Sequence, residues 1–110
     1  MTTYFVTRHP GAVLWAQQEG IAVDRQIDHL DIEDIHPGDT VIGSLPVNLA
    51  ADVCDKQARY IHLILELPLK WRGKELSVED MKRFGAKLHA YQVKKDSNVH
   101  EIIRETYELE

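Results

Sequence analysis

The stretch Arg59-Tyr60-Ile61-His62-Leu63-Ile64-Leu65-Glu66-Leu67 limits the fold more than any other part of the chain, because it is almost continuously apolar. A strand exposed on one face alternates apolar and polar residues, whereas a run like this is expected for a central strand covered on both faces. The flanking chain supplies the covers. Tyr4-Phe5-Val6-Thr7 reads as a short strand that stops at Arg8-His9-Pro10-Gly11, and Ala12 to Glu19 then read as a helix closed by Gly20. Arg25 to Leu30 alternates as a second strand, and His36-Pro37-Gly38-Asp39 is a turn. Thr40-Val41-Ile42-Gly43 follows as a buried strand. A helix is expected over 46–56, with Pro46 in its first turn and Leu49, Ala50, Val53 and Cys54 as its apolar stripe. Beyond Pro68 lies the basic loop Leu69-Lys70-Trp71-Arg72-Gly73-Lys74. The capping box Ser77-x-x-Asp80 then predicts a long helix in which Met81, Phe84, Leu88 and Tyr91 share one face. Ile102 to Tyr107 fits neither period cleanly and is read as an edge strand.

Strands alternating with helices through short turns predict an α/β fold: a small Rossmann-like domain with a mainly parallel sheet and helices on both faces. With 110 residues, the chain is expected to form a single domain over 1–110. No segment approaches the roughly 18 uninterrupted apolar residues of a membrane helix, and the opening residues lack a secretory pattern, so a cytoplasmic protein without a membrane partner is expected. Cys54 is the single cysteine, which excludes an internal disulfide and a cysteine-based zinc site. The six histidines show no metal-ligand spacing, so neither a metal nor a cofactor is expected.

The net charge of −5 argues against stable binding of polymeric nucleic acid, which draws its affinity from many cationic contacts to phosphates. The positive charge is local: residues 70–95 hold eight Lys and Arg against three Asp and Glu, between two acidic segments. This is either a solvated helix face or an anion site able to hold a few phosphates. Ligands of open parallel sheets bind outside the carboxyl ends of strands, where strand order reverses. Two such ends stand out, Thr7-Arg8-His9-Pro10-Gly11 and Gly43-Ser44-Leu45-Pro46-Val47-Asn48, each delivering the chain to a helix N-terminus that favours an anion. Gly11 and Gly43 would allow close backbone approach, Arg8 supplies a forked permanent charge, and Ser44 and Asn48 add neutral donors. His9 is suited to proton transfer. Alternatively, Ser44 caps its helix and Arg8 pairs with a structural carboxylate. GxxxxGK[ST] and GxGxxG are both absent. His62, inside the apolar strand, reads as a satisfied interior residue, and Trp15 as core.

Three contiguous segments carry a family resemblance: Thr3-Tyr4-Phe5-Val6-Thr7-Arg8-His9-Pro10-Gly11-Ala12, then Pro37 to Ala50, and Arg72-Gly73-Lys74-Glu75-Leu76-Ser77 with Asp80-Met81. Over about residues 2–93 the chain resembles the small CRISPR-associated Csx proteins numbered sixteen, the VVA1548 type, leaving the tail unassigned. The resemblance implies a place in type III CRISPR defence and a fold related to the nucleotide-sensing CARF-type domains. It also implies ring-nuclease activity on the alarm molecule cyclic tetra-adenylate, which would switch the signal off.

A ring of four nucleotides with two-fold symmetry suits a homodimer that presents paired copies of one site. Under this reading Arg8 neutralises phosphate, His9 moves a proton or contacts phosphate, and the Ser44-Leu45-Pro46 turn with Asn48 binds phosphate and ribose. Lys70 and Arg72 belong to a loop closing over the ring. Trp71 either stacks on adenine or tucks against the long helix. Cleavage would use the ribose 2′-hydroxyl as internal nucleophile. A module that binds the ring without cutting it has the same sequence signature. A histidine phosphatase, suggested by Arg8-His9, is disfavoured by Pro10 and by the short chain.

Overall fold

Five strands form one sheet in the order β2-β1-β3-β4-β5, in which β1 (Thr3–Val6), β2 (Arg25–Ile27), β3 (Thr40–Gly43) and β4 (Arg59–Ile64) run parallel. The fifth, β5 (Lys87–Tyr91), runs antiparallel to β4. The structure is a computed structural model and describes residues 1–96 and 99–100. The expected tail strand over 102–107 lies outside the described residues.

Period-two alternation divides the sheet's side chains between two cores. Phe5, Ile42 and Leu63 face α1 (Pro10–Gln18) and α3 (Val78–Arg83), burying Trp15, Ala16, Leu76, Met81 and Phe84. Tyr4, Val41 and Tyr60 face the other way, against Ala50 and Val53 of α2 (Val47–Asp55) and against Ile35. The mainly parallel α/β sheet with helices on both faces is therefore as expected, and β4 is the doubly covered strand that its apolar run demanded.

The long third helix is a correction. α3 ends at Arg83, and Leu88 and Tyr91 lie in β5. Gly85, at φ +68°, takes the left-handed position after the helix, where a side chain would be strained. The Ala86 N–H then reaches Met81 O at 2.9 Å and the Gly85 N–H reaches Lys82 O at 3.2 Å, the paired bonds of a Schellman stop. Met81 and Phe84 obey the helical spacing on their own, while Leu88 and Tyr91 follow it by coincidence and instead pair opposite Leu63 and Tyr60. β4 stops at Ile64 and β2 at Ile27, each three residues short of its expected end.

Candidate anion site at the strand switch

Parallel pairing brings the carboxyl ends of β1, β3 and β4 to one edge of the sheet, and the order of strands reverses between β1 and β3. The chain leaves β1 through Thr7, whose N–H bonds Ile27 O and whose Oγ1 accepts the His9 N–H at 3.1 Å. That local bond turns the strand directly into α1, with Pro10 in the first turn. Arg8 sits at the bend, exposed, and pairs with no carboxylate among the described residues. His9 is half-buried, and its Nδ1 accepts the Leu76 N–H at 3.3 Å. The neutral imidazole therefore carries its hydrogen on Nε2, as a donor.

At the end of β3, Gly43 is held against β1: a side chain there would bring Cβ within 3.1 Å of Val6 O. The turn that follows is tied to β4 at two points. Ser44 Oγ donates to Leu63 O at 2.7 Å, and the Leu45 N–H donates to Tyr60 Oη at 3.0 Å. Ser44 therefore braces the turn and does not cap the helix. Pro46 stands at the cap position of α2 without a side-chain bond, and no acidic residue lies in the helix's first turn. The same is true of α1. Two nine-residue helices thus begin beside the switch with no side-chain cap and no carboxylate in their first turns, next to Arg8. The spare N–H groups lie mainly on α2, because at α1 the His9 and Ala12 N–H groups are bonded to Thr7 Oγ1 and His9 O and Pro10 has none. Asn48 is exposed in the first turn of α2.

Gly11 does something else. A Cβ there would lie 2.2 Å from Leu76 O, so its close approach is to the chain itself, where α1 packs on the start of α3. Glu75, Glu79 and Asp80 line the surface beside it, which makes that flank acidic. Lys70 and Arg72 are exposed in the loop after β4. Trp71 between them is tucked against Phe84, ring centroids 5.2 Å apart, with the Lys74 ammonium 5.1 Å and the Arg83 guanidinium 5.7 Å from its centroid. It anchors the loop to α3, and cations occupy its surroundings.

The structure adds two residues to the neighbourhood, Tyr60 and His62. Tyr60 is buried at 2% exposure, and its hydroxyl meets Leu45 N–H, Gly43 O at 3.2 Å and His62 Nδ1 at 2.5 Å. Burial pushes the phenol above its ordinary pKa, so it remains a neutral hydroxyl. The signal was present in the sequence as two polar-tipped rings at i and i+2 in an otherwise apolar strand. No helix among the described residues is long and apolar enough to cross a membrane.

A family model described as "Putative CRISPR-associated protein (Cas_VVA1548)" matches residues 4–94. No curated protein and no solved structure matches the chain.

Proposed function

The chain belongs to the Cas_VVA1548 family, described as CRISPR-associated, and we propose on that basis that it is a metal-independent ring nuclease which opens cyclic tetra-adenylate and ends type III signalling. The observation that carries this reading is the pair of helix starts with no side-chain cap and no acid in their own first turns, flanking Arg8, which pairs with no carboxylate among the described residues. Such a place favours a few phosphates of a compact ligand over a long strand, in keeping with the chain's net charge of −5. A switch-point site on a doubly wound sheet is also what a relation to CARF-type domains would require.

In this reading a ring phosphate rests on the Ser44-Leu45-Pro46 turn and the start of α2, with Asn48 against phosphate or ribose. The bracing to β4 spends the Ser44 hydroxyl and the Leu45 N–H on the protein itself, and in return fixes the turn, so that the first-turn N–H groups of α2 are in place before the ligand arrives. The 2′-oxygen attacks the adjacent phosphorus as its proton leaves to water. A phosphorane forms, the bond to the 5′-oxygen breaks, and that oxygen takes up a proton, giving a 2′,3′-cyclic phosphate and a 5′-hydroxyl. Arg8 and the His9 Nε2–H neutralise charge on the non-bridging oxygens. The Leu76 bond supports His9 as a phosphate contact, since Nδ1 is already occupied as an acceptor. Lys70 and Arg72 close over the ring from the third loop. Two copies in a homodimer match the two-fold symmetry of the ring and give it two equivalent scissile positions.

The test is incubation of the purified protein with cyclic tetra-adenylate in EDTA, with products resolved by chromatography. Linear products ending in 2′,3′-cyclic phosphate are expected. Stoichiometric binding with full recovery of the ring makes the protein a sponge for the messenger, and a strict metal requirement defeats the internal-nucleophile scheme.

A further inference from the structure

The Tyr60–His62 pair opens onto a hollow that the phosphate scheme leaves unused. Its walls are Leu45, Val47, Ala50, Tyr91 and Val93, its volume is about 250 Å³, and among the described residues the only ring nitrogens on it belong to His62. It adjoins the candidate anion site directly, because Leu45 belongs to the β3 turn and Val47 is the first residue of α2. Small-molecule pockets run to roughly 300–1,000 Å³, so this hollow suits a single heteroaromatic ring more than a whole nucleotide.

Counting hydrogens fixes which ring nitrogen of a neutral His62 carries its hydrogen. The Tyr60 hydroxyl has one hydrogen and two lone pairs, and three neighbours: the Leu45 N–H, which must donate; Gly43 O, which must accept; and His62 Nδ1. All three are bonded only when Tyr60 donates to Gly43 O and receives hydrogens from both Leu45 and His62 Nδ1. The neutral imidazole then bears its hydrogen on Nδ1 and a bare lone pair on Nε2, the reverse of His9. Tyr91 stands edge-on to the imidazole with centroids 5.9 Å apart and is 46% exposed, an aromatic wall with free surface. Trp71, the aromatic residue that the sequence suggested for stacking, is occupied against Phe84.

We propose that this hollow is the base subsite of the anion site: it takes an amino-bearing purine, adenine in the ring, with His62 Nε2 accepting a hydrogen from the exocyclic amino group and Tyr91 and Val47 lining the ring. The assignment of adenine rests on the ring-nuclease reading, whereas the preference for an apolar heteroaromatic ring with a donor edge comes from the hollow itself. A nucleotide placed this way has its base beside Tyr91 and its phosphate at the start of α2, so one turn of chain serves both ends of the ligand.

Adenosine and purine riboside, which lacks only the amino group, separate these terms without any phosphate. In an NMR titration of the full chain, adenosine is expected to shift the His62 and Tyr91 ring signals and to bind about tenfold more tightly than purine riboside, the worth of one hydrogen bond. His62→Phe keeps a ring of similar shape and should erase that tenfold preference. Val47→Trp, at a position 73% exposed on the rim, should block both nucleosides while leaving the melting temperature unchanged. Equal binding of the two nucleosides by the unaltered protein, or shifts that bypass His62 and Tyr91, overturns the subsite. Cleavage of cyclic tetra-adenylate with no change at His62 overturns it and leaves the nuclease reading standing. Adenosine binding at His62 in a protein that never cuts the ring does the reverse.

Discussion

The two edges of the sheet treat the same electrical problem in opposite ways. At the amino edge, the Asp39 carboxylate accepts the Thr2 N–H at 2.9 Å and the His36 N–H at 3.0 Å, and Asp24 accepts the Thr3 N–H at 2.7 Å. The chain brings its own anions to its spare backbone donors. At the carboxyl edge, α1 and α2 begin with neither a side-chain cap nor an acid in the first turn. A shortage of carboxylates does not explain this, for the chain has 18 Asp and Glu. Nor does helix chemistry in general: α3 starts against Gly11 with a complete capping box, Ser77 with Asp80, and with Glu79 beside it. Helix starts left without carboxylates of their own at the switch, beside an arginine that pairs with none among the described residues, are the contrast on which the proposed phosphate site rests.

The largest effect expected from breaking this contrast is at Arg8. Arg8→Ala should slow ring cleavage about 10²–10³-fold, the range for losing one group that stabilises transition-state charge. The melting temperature should not move, because the side chain is exposed and without a partner among the described residues. Unchanged cleavage would move the chemistry away from β1. Next comes Gly11→Ala, which drives a methyl group into Leu76 O and should cost about 1–3 kcal/mol in urea unfolding as α1 and α3 separate. An unaltered midpoint would mean that the joint between these helix starts is loose.

Asp39 probes the opposite edge by pH. Its carboxyl is held below the ordinary 3.8, first by the Thr2 N–H and then by the His36 N–H, both of which favour the ionised form. A depressed folded pKa contributes stability that is fully present above the unfolded value and is lost as pH falls through the folded one. Asp39→Asn should therefore lower the melting temperature by several degrees near neutrality, and the gap from the unaltered protein should narrow only below about pH 4. Below its melting temperature the variant should cut the ring normally, since Asp39 lies at the far end of β3 from the site. A gap that stays constant down to pH 3 would show that hydrogen-bond geometry alone, without the charge, explains the edge.

Much of this architecture was legible beforehand, and for local reasons. β4 announced itself because an apolar run of that length has no alternative use, and the turns at Arg8 and Ser44 because proline and glycine interrupt β-branched runs. What could not be read was longer-range. Gly85 ends α3 through bonds back to Met81 and Lys82, yet a lone glycine in a helical pattern also reads as a tolerated interruption. β5 exists because Lys87–Tyr91 found an open edge of β4, a partner 23 residues away at the Ile64–Lys87 pair and 31 away at Tyr60–Tyr91. Of the residues proposed for the site, Arg8, Ser44 and Asn48 lie where the strand ends put them, with the Ser44 hydroxyl turned to Leu63 O. Gly11 belongs to helix packing and Trp71 to its loop, because side-chain direction at a turn depends on what α3 presents. His62 read as interior from sequence, being polar in an apolar strand, and only the Tyr60 hydroxyl gives its two nitrogens different roles.

The smallest expected change, and the one of opposite sign, comes from supplying α2 with the anion it lacks. Asn48→Asp exchanges one nitrogen for an oxygen and places a carboxylate in the first turn, where the helix dipole should stabilise it by about 0.3–1 kcal/mol at low ionic strength. If the start of α2 is left bare only by chance, the variant is more stable and binds the ring as before. If it is left bare for phosphate, the gain in stability arrives together with a loss of affinity, because the new charge occupies the donors and repels the ligand across a short distance. Salt distinguishes this from a damaged fold, since raising ionic strength should shrink the stability gain and the affinity deficit together. Paired measurements of melting temperature and calorimetric affinity at two salt concentrations check it, and a more stable variant with undiminished affinity would remove α2 from the binding site while leaving Arg8 its role.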